Sequence, residues 1–177
     1  MLHKLLIAIA ALFGFGASAQ ADASKPAIDL NTPVENPSLV RAMNRLAVEN
    51  SDAAKDSLLA ELQLAHFLAA MLPGDNGKFP DSSPGLTQLK KGTRFGVLSA
   101  GKDGKNYLVL FSDWNALRAY TNLEVKGWVL PAQDAWSFAL QGHTYDGVVL
   151  NPAHNALPLE RPMLEFLSRR AATANER

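Results

Sequence analysis

The chain has 177 residues, no cysteine, 17 basic against 17 acidic side chains, and 47% hydrophobic residues. Without cysteine there is no disulfide framework and no thiol chemistry. A nucleic-acid partner is disfavoured by the missing basic excess, and collagen-like or low-complexity classes by only 12 Gly and 10 Pro.

The first nineteen residues read as an address. Met1-Leu2-His3-Lys4 is a short positive segment, residues 5–16 are apolar or small, and Ala17-Ser18-Ala19 is a small-x-small cleavage site. Cleavage after Ala19 is expected, with Ala19-Gln20-Ala21 as a second register. The apolar run is shorter than the roughly 20 residues that span a bilayer, so no transmembrane segment is expected in the mature chain. The expected location is periplasmic or secreted, in a bacterium. Residues 20–37 are polar, hold several prolines and have no period, and read as a flexible linker. Residues 38–170 read as a single domain and 171–177 as a disordered tail. A domain of about 150 residues buries roughly 68–70% of its unfolded surface, enough for a core without staples.

A first helix is expected from Ser38, with Leu39, Met43, Leu46 and Ala47 on one face. Ser51 or Asp52 caps a second helix through Leu58, Leu59 and Leu62. Residues 65–72 are continuously apolar and end at Pro73-Gly74, which reads as a buried strand, although their alanines also suit a helix. Residues 73–84 are a loop. Strands follow at 93–99 and 106–111, joined by a hairpin at Gly101-Lys102-Asp103-Gly104, because Asp-Gly tolerates the positive φ of a tight turn. The second of these strands is apolar on both faces and reads as central. Ser112 opens a helix to Tyr120 with Trp114, Leu117 and Tyr120 buried. A strand at 126–130, a helix at 133–140 carrying Trp136 and Leu140, and a strand at 146–150 come next. A last helix at 158–170 turns Leu159, Met163, Leu164 and Leu167 inward. The fold class is α+β with an α/β-like half: a mixed sheet of about five strands with helices packed on it, a central hairpin, then β-α-β-α-β with parallel crossovers.

Few motifs carry chemistry. Gly101-Lys102-Asp103-Gly104-Lys105-Asn106 lacks the spacing and the Ser/Thr of a phosphate loop and reads as a hairpin tip. There is no Gly-x-Ser-x-Gly elbow and no His-Glu-x-x-His pair, and Asp75 and Asp81 lack the repeat of a calcium loop. His143, Asp146 and His154 could be drawn as zinc ligands, but their spacing suits solvated loops. His66 reads as a hydrogen-bonded core or edge residue. No catalytic residue, cofactor or metal is expected.

The order Tyr107-Leu108-Val109-Leu110-Phe111-Ser112-Asp113-Trp114, then Tyr145-Asp146-Gly147-Val148-Val149-Leu150-Asn151-Pro152, then Leu157-Pro158-Leu159-Glu160-Arg161 resembles the SseB N-terminal domain family. The resemblance spans about 37–167. It implies an α+β domain without assigned catalytic residues. The expected function is an exported, non-enzymatic binding or protein-interaction module, with an unknown protein or a small anionic ligand as partner. Strand carboxyl ends are where open α/β sheets bind ligands. Ser112, Asp113, Asn151, His154 and Arg161 are therefore the candidate binding rim, with helix N-termini at Ser112 and near Pro158 offering N–H groups to an anion. The same Ser112 or Asp113 could merely cap a helix, and Asn151 close a turn. The alternative is a hydrolase-like enzyme using Asp113, Asp146 and His154, which requires those three to meet.

Overall fold

The computed structural model describes residues 34–73 and 96–174. The expected signal peptide with its Ala19 site, the expected linker up to residue 33, residues 74–95 with most of the expected loop, and residues 175–177 lie outside the described residues.

Two helices come first, α1 (Pro37–Glu49) and α2 (Asp52–Leu64). Pro37 occupies the first turn of α1, where its missing N–H is no loss. Asn50 ends that helix at φ 43, a left-handed conformation that Asn tolerates. Ser51 caps α2 by accepting from Ala54 N at 3.2 Å. Leu39, Ala42 and Met43 are the buried face of α1. Ala47, expected on that face, is exposed because it lies one turn past the contact.

Residues 66–72 are a strand, β1 (His66–Leu72), as the apolar run suggests. The stretch expected as one strand at 93–99 is divided: its described part forms β2 (Gly96–Val97) and the start of β3 (Ser99–Lys102). Leu98 is the break, donating to Ala70 O at 3.0 Å on one side and accepting from Val109 N at 3.2 Å on the other. The chain passes there from the edge of β1 to the edge of the next strand. β4 (Lys105–Phe111) follows the expected Asp-Gly turn, with Asp103 at φ 53 and Gly104 at φ 76. Then come α3 (Trp114–Tyr120), β5 (Lys126–Pro131), α4 (Ala132–Leu140), β6 (Gly147–Leu150), β7 (Leu157–Glu160) and α5 (Arg161–Ala174).

The last helix begins three residues later than its proline suggests. Pro158 sits in β7, paired with Val149 on an edge of the sheet where a missing N–H is tolerated. Pro162 is the one in the first helical turn. Leu159 is therefore buried from a strand, Leu164 and Leu167 from the helix, and Met163 is 39% exposed.

Among the described residues the sheet has seven strands rather than about five, and it is mixed. β1 is antiparallel to β5, to β4 and to β2; β6 is parallel to β4; β7 returns antiparallel on β6. Because β1 stands between β4 and β5, antiparallel to both, strands β4, β5 and β6 all point the same way. The expected parallel progression holds in direction, yet only β4 and β6 bond directly. The chain steps from β4 across β1 to β5 and then back across both to β6. Crossovers of one hand running in opposite directions place their helices on opposite faces. Accordingly α4 packs on Phe67, Ala69, Leu108, Leu110, Val148 and Leu150, together with α1, α2 and α5. α3 packs on Leu68, Ala70, Val109 and Phe111, which alternate with them. Trp136 is fully buried at the centre of the larger layer, its ring 5.0 Å from that of Phe67. No helix among the described residues is long and apolar enough to cross a membrane.

Candidate functional site

β4 and β6 end side by side, and the residues that follow them interlock. The Ser112 backbone N–H donates to Asn151 Oδ1 at 2.9 Å, and Asn151 Nδ2 donates to Ser112 Oγ at 2.9 Å. Ser112 Oγ donates in turn to Asp113 Oδ2 at 2.7 Å. The other oxygen of Asp113 accepts from Ala116 N at 2.8 Å. The cap of α3 is therefore Asp113, and Ser112, expected to open the helix, orients the capping carboxylate. Ser112 and Asn151 are 2% and 3% exposed, the buried polar pair of the described fold. Buried polar groups of this kind stay only when their bonds are made, and here each is.

The network extends to groups that the sequence reading does not single out. Asn151 Nδ2 also reaches Asn155 Oδ1 at 3.3 Å, and Asn155 Nδ2 donates to Asn44 Oδ1 on α1 at 3.0 Å. Asn36, just ahead of α1, donates to His66 O at 2.7 Å and Ser112 O at 2.6 Å, and accepts from His66 N at 3.2 Å. Its side-chain amide acts as a peptide group inserted between the start of β1 and the end of β4. In the sequence Asn36 falls in the linker; the signal available was an Asn before the Pro that opens a helix.

Of the expected rim, Ser112, Asp113, Asn151 and His154 gather at this end. His154 is exposed, with its backbone N–H on Asn151 O at 3.1 Å. Arg161 does not join them. β7 runs back along β6, so Arg161 lies at the opposite end, donating to Tyr145 O at 2.8 Å and to Leu140 O, at the end of α4, at 3.1 Å. The second helix N-terminus expected near Pro158 moves there with it. Asp146 is at that far end too, its Oδ2 accepting from Asn106 N at 2.8 Å. The length of β4 separates it from Asp113, roughly 20 Å at the rise of a strand. Asp113, Asp146 and His154 therefore do not form one constellation. His66 opens β1 with its side chain exposed.

The far end carries the perturbed titrations. The Tyr107 hydroxyl donates to Glu160 Oε1 at 2.8 Å and Lys105 Nζ to Oε2 at 3.1 Å. These two bonds hold the Glu160 carboxyl below the usual range and raise the Lys105 ammonium and the Tyr107 phenol. Burial raises the Tyr145 phenol. Among the described residues no group of three or more His, Asp or Glu side chains could hold a metal ion.

The interlocked strand ends are the two motifs that carry the resemblance, Phe111-Ser112-Asp113 and Leu150-Asn151-Pro152. The family model for the SseB protein N-terminal domain matches residues 39–165, from α1 into α5. The chain belongs to the SseB N-terminal domain family. No curated protein and no solved structure matches it. In this SseB domain the motif residues have a direct physical role: Ser112 and Asn151 clamp the parallel pair at its carboxyl end, Asp113 starts α3 from that clamp, and Asn36 and Asn155 tie α1 to it.

Proposed function

We propose that the chain is an exported, non-enzymatic binding or protein-interaction module, with its contact surface at the carboxyl ends of β4 and β6. The observation that carries this reading is how the polar groups there are engaged. The Ser112 hydroxyl donates to Asp113 and accepts from Asn151, and both Asp113 oxygens have partners. A hydroxyl held in this way is a structural group rather than a nucleophile waiting for a base. Exposed residues stand near the clamp: His154, whose backbone N–H is on Asn151 O, Asn44, which accepts from Asn155, and Asn115 in the first turn of α3. Loops fixed by a buried second layer present their side chains at low entropic cost, which favours binding. The partner is a protein or a small anion.

The test is gentle affinity purification of the tagged protein from the periplasm, comparing wild type with His154→Ala/Asn115→Ala, two substitutions outside the clamp. The expected result is a partner or bound anion that the wild type retains and the folded double variant loses. Equal retention by the variant would place the contact elsewhere. Substrate turnover by the purified protein, lost in a folded Ser112→Ala, would overturn the reading in favour of a hydrolase.

A further inference from the structure

Three buried side-chain atoms on α2 and α4 have no hydrogen-bond partner among the described residues: Gln63 Nε2, Gln133 Oε1 and Trp136 Nε1. The first and last are donors and the second is an acceptor, yet no two of them bond each other. Buried polar groups persist when they are satisfied, and each one left bare costs stability. Trp136 is the strictest case. The residue is fully buried, and an indole N–H can only donate.

The three stand where two helices meet. α2 ends beside the start of α4: Ala132 N donates to Ala65 O at 3.0 Å, and His66 pairs with Pro131. Gln63 lies in the last turn of α2, just before Ala65, and Gln133 in the first turn of α4, just after Ala132. Trp136 is one turn beyond Gln133 on the same side of α4. Helical side chains lean toward the N-terminus of their own helix, which carries the indole back toward Gln133. Leu62, Ala132 and Trp136 share one apolar layer. We propose that a single buried water molecule joins these groups, accepting from Gln63 Nε2 and Trp136 Nε1 and donating to Gln133 Oε1. The pattern of donors and acceptor selects the ligand. An anion has no hydrogen to give to Gln133 Oε1, and a metal cation has no lone pair for either N–H. Water does both, and about three bonds is the usual number for a buried one. It ties the last turn of α2 to the first turn of α4, a helix whose cap position, Pro131, offers no side-chain bond. The site lies between the two helices, and its failure would not bear on the binding role proposed above.

The purified protein, labelled with nitrogen-15 in its tryptophan indoles, tests this by NMR. Trp136→Phe, which keeps an aromatic ring in the layer, identifies the Trp136 indole signal by its disappearance. In the wild type that indole proton should show a cross-relaxation peak to a long-lived water. The peak should be lost in Gln63→Met/Gln133→Met, which leaves the indole as the one remaining partner, with circular dichroism to confirm that the variant is folded. A high-resolution crystal structure of the wild type should place one water within hydrogen-bond distance of all three atoms. A wild type without the peak would overturn the proposal, as would a peak that survives in the folded double variant. A crystal structure in which Trp136 Nε1 bonds directly to a glutamine side chain would overturn it too.

Discussion

Asn151 does three things at one position. It ends β6 at φ 47, a conformation few residues other than Gly enter as readily as Asn. It satisfies the buried Ser112 N–H, and it holds the Ser112 hydroxyl. Alanine there leaves a buried donor without a partner, about 1–3 kcal/mol, and adds backbone strain. Asn151→Ala should therefore cost more than the loosening of a turn that its sequence position suggests; urea unfolding of both proteins measures it. Asn151→Gly removes the strain alone and should recover part of the loss. Gly127 is constrained from the other face: a Cβ there would come 2.5 Å from the Trp114 ring of α3. Gly127→Ala should be destabilising by about 1–3 kcal/mol. Adding Trp114→Ala should relieve that clash, giving a coupling energy in a double-mutant cycle.

At the scale of the element, α3 has seven residues and one side-chain cap, Asp113. Asp113→Ala should cost about 0.5–2 kcal/mol. The loss should concentrate in α3, read as faster amide exchange at Ala116 and Leu117 than in β4. The Tyr107–Glu160–Lys105 group ties β4 to the edge strand β7. The Glu160 carboxyl is lowered on folding, so its contribution is complete above the ordinary carboxylate range and is lost as pH falls through the lowered value. Lys105 is raised, so its contribution is complete below its unfolded value and is lost as pH rises through the folded one. In an NMR titration the Glu160 midpoint should lie below that of a free glutamate. It should move up in Tyr107→Phe; an unchanged midpoint would mean that the hydroxyl bond is not what lowers it.

For the whole molecule, Trp136 joins α4 to β1 in the larger apolar layer. Trp136→Ala should cost about 3–5 kcal/mol, seen as a lower melting temperature of the entire fold rather than of α4 alone. The front of the chain makes a separate prediction. If it is an export signal, N-terminal sequencing of protein from the native host should begin at Gln20, or at Asp22 for the second register. An intact Met1 terminus from a soluble cytoplasmic fraction would count against export.

The sequence alone determined what short-range physics controls. The strand at 66–72, the Asp-Gly hairpin, the Ser51 cap and the Asn-Pro stop after β6 each depend on neighbours a few residues apart, so periodicity and turn chemistry reveal them. The α+β class and the family follow from their order. Tertiary structure alone decided which strands meet. Nothing local says that β1 stands between β4 and β5, that Leu98 divides a strand to fill the gap between β1 and β4, or that Pro158 lies on a sheet edge instead of opening a helix. The site divides in the same way. That Asp113 and Asn151 lie at strand ends is legible in their surroundings, but the bonds of the network around them, Asn36 to Ser112, Asn151 to Asn155 and Asn155 to Asn44, join residues up to 111 positions apart. The placement of Arg161 at the opposite end follows from β7 turning back on β6, and that of Asp146 from β6 starting beside the start of β4 and running parallel to it. A hydrogen bond is chosen by distance in space, and distance along the chain carries no record of it.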